Sequence, residues 1–173
     1  MAIAGSYLEM PVHLDDLDQE HLEFFSWCGK HQLRLQKCSN CSLMRFPPTT
    51  ACPFCAHPDA TWEPVSGRGV VYSYGEVHHA IQGAFKPHLP YMLLLVELDE
   101  QRNRPNEYDG LRVQGNLATA DGLLAPPELV AEVGIGTQVK VIFQDMGDGI
   151  AMPLWVVDQD VEQPAQPWRY PDE

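Results

Sequence analysis

Basic side chains are scarce in this chain: 11 Lys and Arg stand against 24 Asp and Glu over 173 residues, a formal charge of −13. Nucleic-acid affinity comes chiefly from cations that neutralise phosphates, so this balance argues against general nucleic-acid binding. It reads instead as a solvated acidic surface that keeps the protein soluble. Long apolar stretches are also missing. The longest, Tyr91 to Val96, falls far short of the about 20 residues a membrane span needs. The opening "MAIAGSYLEM" lacks the basic start and apolar run of a secretory leader. A cytoplasmic location is expected, and thiols there stay reduced. Catalytic signatures are absent too: no GxSxG, P-loop, GxGxxG or HExxH occurs. None of the histidines, at positions 13, 21, 31, 57, 78, 79 and 88, sits at a helical ligand spacing with a partner. With hydrophobic residues at 45% and charged residues at 20%, the chain can bury a core, but its residues display no enzyme centre.

What it does have is "CSNCSLMRFPPTTACPFC", in which the pairs Cys38/Cys41 and Cys52/Cys55 are ten residues apart. A CxxC turn aims two sulfurs at one point, and a second CxxC on a facing turn completes a tetrahedron. Zn²⁺ accepts four thiolates in that geometry and keeps no position open for substrate, so such a site is structural and its binding energy is folding energy. The short gap favours a compact, rubredoxin-like pair of knuckles. Iron is the rival ion, because four thiolates also hold iron, but no electron-transfer surface is evident nearby. A thioredoxin-type dithiol would need a βαβ setting, and the surroundings are proline-rich loop. Cys28, in a helical pattern upstream, reads as a small buried apolar residue.

The pattern along the chain is mainly β. Residues 1–14 read as a loose lead-in, followed by a short helix at about 16–28 capped by aspartates and stopped by Gly29. Phe24 and Trp27 on it either pack on the rest of the chain or dock against another protein. "QLRLQKC" alternates as a strand into the first knuckle, and Trp62 to Val65 leaves the second. From Gly67 onward five β-rich segments follow: "GRGVVYSYGEVHHA", "PYMLLLVEL", "LRVQGNLAT", "TQVKVIFQDM" and "IAMPLWVV". With one helix near Pro127 to Val133, these predict a small closed or partly open barrel. The stretch 99–110 reads as a polar loop, and 158–173, with its prolines, as a disordered tail. The expected divisions are therefore 1–32 (lead-in and aromatic helix), 33–66 (metal ribbon), 67–157 (five-stranded barrel) and 158–173 (tail).

The order of an aromatic helix, "LRLQKCSNC", "RFPPTTACPFC", "EPVSGRGVVYSYGEVHH", "LPYMLLLVEL" and "IGTQVKVIF" resembles the DUF35 family over about residues 16–157. The resemblance implies a rubredoxin-like zinc ribbon joined to an OB-fold barrel. In that family the chain commonly accompanies a thiolase-fold enzyme: a ketoacyl-CoA thiolase, a related acyltransferase or an aldolase. There the partner supplies the catalytic residues, while the DUF35 chain serves assembly and can line the path of the CoA substrate. Carried over, Cys38, Cys41, Cys52 and Cys55 match the zinc ligands, and no position matches a catalytic residue. A CoA path needs a few cations, for which Arg68, Lys86, Arg112 and Lys140 are the barrel's candidates. The alternative function is a nucleic-acid-binding ribbon and OB protein, since both modules can bind single strands. It requires a basic stripe across the barrel.

Overall fold

The computed structural model describes residues 3–171. Strands β1 (Ile3–Tyr7) and β2 (Met10–Leu14) come first, then helix α1 (Gln19–Cys28). The ribbon follows with β3 (Arg34–Cys38), β4 (Met44–Arg45) and β5 (Ala60–Pro64). The barrel is built from β6 (Arg68–Val77), β7 (Tyr91–Leu98), β8 (Arg112–Asn116), helix α2 (Pro127–Glu132), β9 (Gln138–Gly147) and β10 (Ile150–Val157).

The lead-in is not loose. β1 and β2 form an antiparallel hairpin in which Tyr7 faces Met10, leaving Leu8 and Glu9 as a two-residue connection. Both have positive φ, 49° and 62°, as a type I′ turn requires. Neither is the Asn or Gly that marks such a turn in a sequence, which is why the segment read as irregular. Tyr7 packs with Met146, Ile150 and Leu154 in a second core cluster, so tertiary burial holds the hairpin in place of turn propensity.

α1 begins where the aspartates predict: the Asp18 carboxylate accepts the His21 backbone N–H at 3.3 Å. It ends at Gly29 for a different reason than expected. Gly29 has ordinary helical φ (−63°), and His31 takes the left-handed position (φ 55°). Glycine is needed because a Cβ there would lie 1.9 Å from the Gly149 carbonyl oxygen. Phe24 is buried in the main core, against Phe25 and Phe46, each at 5.3 Å between ring centroids. Trp27 is half-buried beneath Lys30 and Arg34, both about 4 Å from its ring centroid. The aromatic helix therefore spends Phe24 on its own chain.

The barrel strands are ordered β10-β9-β6-β7-β8, all neighbours antiparallel. A parallel bridge from Leu117 to Trp155 brings the end of β8 to β10, closing the sheet with α2 between β8 and β9. That is the OB arrangement of a five-stranded Greek-key barrel. Period-two alternation fills it: Met92, Leu94, Val96 and Leu98 on β7 are wholly buried, whereas Leu93 between them is 41% exposed. Trp155 occupies the interior, and Gly115 on β8 makes room for it, since a Cβ there would come within 3.0 Å of the indole. Leu33 and Leu35 join the same core, so ribbon and barrel share one hydrophobic interior.

The segment read as a disordered tail also packs. Trp168 exchanges two backbone hydrogen bonds with Ile135, at 2.8 and 3.0 Å. The Arg169 guanidinium donates to the Val130 and Val133 carbonyls at the end of α2 and pairs with Glu76. The Tyr170 backbone N–H donates to the Tyr74 hydroxyl at 2.8 Å. Long-range pairing with backbone and charge anchors this stretch where apolar content is too low to predict order. Residues 172–173 lie outside the described part.

Candidate metal centre and the outer face of the barrel

The two CxxC turns are built alike. In the first, the Ser42 N–H donates to the Cys38 carbonyl at 3.0 Å, and the Cys38 N–H to the Leu43 carbonyl at 3.0 Å. In the second, Ala56 donates to Cys52 at 2.8 Å, and Cys52 to His57 at 2.9 Å. Ser42 and Ala56, each following the second cysteine of its pair, both take positive φ, 61° and 60°. This repeated loop is what turns both sulfurs of a pair to one side. All four Sγ atoms lie within 4.8 Å of one another, with Cys38–Cys55 and Cys41–Cys52 each at 3.6 Å. Four thiolates at 2.3 Å from a tetrahedral ion stand about 3.8 Å apart, so the donor set fits one metal ion such as zinc without rearrangement.

Backbone amides prepare the sulfurs for it. Hydrogen bonding from the Cys41 amide lowers the Cys38 thiol from its ordinary range, and the Asn40 N–H also reaches Cys38 Sγ at 3.4 Å. The His57 amide brings Cys55 down to about 6. At Cys41 the Leu43 amide acts in the same sense, but burial and the three neighbouring thiols prevail and push it up to about 12. Four thiolates this close repel one another, and a dication relieves that repulsion. Cys38 and Cys52 face the interior at 1% and 2% exposure, while Cys55 is exposed. Cys28 lies apart, buried, with its thiol pushed up to about 12 by desolvation.

One residue that sequence reasoning assigned to a loop secures the ribbon. Gln101, in the 3₁₀ turn after β7, is 4% exposed. Its amide accepts from the Met44 N–H at 2.8 Å and donates to the Met44 carbonyl at 3.0 Å. The β4 edge is thereby paired to a side chain of the barrel, just beyond the first knuckle. Glutamine in a polar stretch carries no sequence signal for such a role.

The four cations proposed for CoA do not converge. Arg68 and Lys140 stand opposite each other on β6 and β9 and share carboxylates. Arg68 meets Asp158 at 2.6 Å, and Lys140 meets Asp158 at 3.3 Å and Asp160 at 2.7 Å. Asp160 is held below the ordinary carboxylate range by hydrogen bonding to Lys140. Arg112 bonds Glu97 at 3.1 Å and lies 3.6 Å over the Tyr72 ring. Lys86 is exposed on the 3₁₀ turn Gly83–His88 between β6 and β7, and no ion pair involves it among the described residues.

The outer face of β6 and β7 carries exposed apolar side chains, and β8 beside it presents Arg112 and Gln114. Tyr72 (45%) and Leu93 (41%) are exposed. A cavity of about 460 Å³ opens where this face meets α1 and the ribbon, lined by Phe24, Phe25, Phe46, Leu95 and Gln114 among others. A second, of about 180 Å³, continues along Leu93, Leu95, Gln114 and Tyr74. Among the described residues, no helix is long and apolar enough to cross a membrane.

Comparison with known proteins adds to this geometry. The model of the C-terminal OB-fold domain of ChsH2 matches residues 62–144. A DUF35 domain-containing scaffold protein of Methanocaldococcus jannaschii is 32% identical over 119 residues, covering 66% of this chain and 72% of that protein. A probable enoyl-CoA hydratase alpha subunit of Thermomonospora curvata is 31% identical over 121 residues, covering 68% of this chain; the chain spans 37% of that relative's length. Among solved structures, the Ltp2-ChsH2(DUF35) aldolase aligns with a TM-score of 0.63 at 26% identity, over 83% of this chain and 98% of that one.

Proposed function

The chain belongs to the DUF35 family, and on that premise we propose that it is a non-catalytic, zinc-containing subunit of an acyl-CoA enzyme. The catalytic partner is a thiolase-fold protein acting as a β-ketoacyl-CoA thiolase, an acyltransferase or an aldolase. The observation that carries this reading is the closed set of four thiols. Four protein ligands leave a metal no position for substrate, so the centre serves structure and fits an accessory subunit. That its relatives include a scaffold protein and an aldolase solved with a DUF35 chain supports a partner enzyme. The probable enoyl-CoA hydratase supports acyl-CoA as the substrate class.

When bound, zinc would be held by Cys38, Cys41, Cys52 and Cys55 and would supply folding energy to the ribbon. The chain's own residues then do three things. The knuckle amides favour the thiolate forms of Cys38 and Cys55. Gln101 and the shared core fix the ribbon against the barrel. Exposed Tyr72 and Leu93, with half-buried Leu95 beside them, offer apolar surface to the partner. Of the cations, Lys86 is the strongest candidate to reach a CoA phosphate. It stands free on the β6–β7 connection, one of the loops with which OB barrels bind ligands. Arg68, Arg112 and Lys140 have their charge matched in place, and this pairing counts against the nucleic-acid alternative, which needs an unneutralised stripe.

Co-expression with a thiolase-fold protein from the same source tests the proposal. The two chains should co-purify and be active only together. A thiolase-fold chain fully active alone, together with acyl-CoA turnover by this chain alone, would overturn it.

A further inference from the structure

Arg45 is the most deeply buried cation in the ribbon, with 4% of its surface exposed. No carboxylate pairs with it among the described residues. Its Nε donates to the Gln36 side-chain oxygen at 2.9 Å and its Nη2 to the Thr49 carbonyl at 2.9 Å. Its Nη1 is buried with no hydrogen-bond partner. Both groups it holds are neutral. A guanidinium withdrawn from water among neutral acceptors carries a large desolvation cost unless a negative centre faces it.

Its position indicates that centre. Arg45 stands opposite Gln36 in the β3–β4 register, and Gln36 precedes Cys38 by two residues, placing both side chains on one face of the strand. The Gln36 oxygen also accepts the Thr49 N–H at 2.8 Å, and Thr49 leads into Cys52. The guanidinium therefore ties together the two arms that deliver Cys38 and Cys52. These are the most buried thiols of the set, at 1% and 2% exposure, the ones with least water to spread their charge. Four thiolates around a divalent ion carry a net charge of about −2, opposite in sign to the guanidinium.

We infer that Arg45 is the electrostatic counter-charge of the metal–thiolate centre, a positioning residue that raises metal affinity through its charge. This rests on the metal reading of the four cysteines and is independent of any partner.

Charge and hydrogen bonding are separable by substitution. Arg45→Lys keeps the charge but cannot reproduce the fork to Gln36 and Thr49. Arg45→Gln removes the charge while keeping a donor. Zn²⁺ affinity of the full chain would be measured by competition with a chromophoric chelator, and the Co²⁺-loaded chain would report the sulfur-to-metal charge-transfer band. Outer-shell partners of metal ligands are typically worth 10–100-fold in affinity. Arg45→Gln should lose that much and shift the Co²⁺ band, whereas Arg45→Lys should stay within about threefold of the parent by the same scale. Lys37, half-exposed on β3, serves as a control, and Lys37→Gln should change little. Equal losses in Arg45→Lys and Arg45→Gln would show a purely structural role and overturn the inference, as would unchanged affinity in Arg45→Gln. Should Arg45→Gln not fold, Arg45→Lys decides: retention of affinity supports the inference and loss of it overturns it. A parent chain that takes up neither ion would overturn the metal reading as well.

Discussion

Replacing Gln101 with alanine should loosen the ribbon against the barrel without touching the core the two share. The side chain satisfies the N–H and the carbonyl of Met44, at 2.8 and 3.0 Å, and is itself 4% exposed. Leaving a buried polar group unpaired costs about 1–3 kcal/mol. Two groups are orphaned, but Met44 is half-buried and water can partly replace the lost partners. A total near 2–4 kcal/mol follows. For a chain of this length, 1 kcal/mol moves Tm by about 2–4 °C, so the midpoint should fall by about 4–16 °C. Gln101→Glu should cost no less, because it retains an acceptor for the Met44 N–H but turns an oxygen toward the Met44 carbonyl. Urea and thermal unfolding of the zinc-loaded chain would give the stability, and hydrogen exchange at the Met44 amide would localise it. A loss below about 0.5 kcal/mol with unchanged Met44 exchange would refute the assigned role, since even one orphaned group should cost more.

Three other outcomes are expected. Asp158→Asn leaves Arg68 and Lys140 facing each other without the buried carboxylate they share; both cations are more than a third exposed or nearly so, at 39% and 34%, so the loss should be about 1–3 kcal/mol in urea unfolding rather than the full cost of a buried pair. Leu93→Glu should leave Tm unchanged, because Leu93 is 41% exposed, yet should abolish co-purification with the enzyme partner. In the metal-free chain, the Cys55 thiolate is stabilised down to about 6 by the His57 amide, so alkylation by iodoacetamide should fall off as pH drops through that value. The sign follows from a folded pKa below the unfolded one: the stabilisation is full above the ordinary thiol range and is lost as pH falls through about 6. Cys28, pushed up to about 12, should stay unmodified in the same experiment until the chain unfolds.

The clustering of the four cysteines and the barrel strands were legible in the residues because both signals are local. A CxxC turn needs only its own backbone to bring two sulfurs together, and β7 alternates buried and exposed positions within eight residues. The hairpin of β1 and β2 escaped notice because Leu8 and Glu9 take a turn conformation that neither residue type announces. Likewise, Gly29 is correctly an end of α1, but through its close approach to Gly149, distant in the sequence.

The four clustered thiols, the succession of helix, ribbon and five strands, and the excess of acid follow from residue type and near-neighbour spacing. Which polar residues matter depends on long-range packing: Gln101 reaches Met44 across 57 positions, Arg169 reaches Glu76 across 93, and Arg68 is matched to Asp160 across 92. Such pairs form after the hydrophobic core has brought distant segments together. A glutamine or an arginine reads the same whether it ends in water or in the interior, so the fold alone assigns its task.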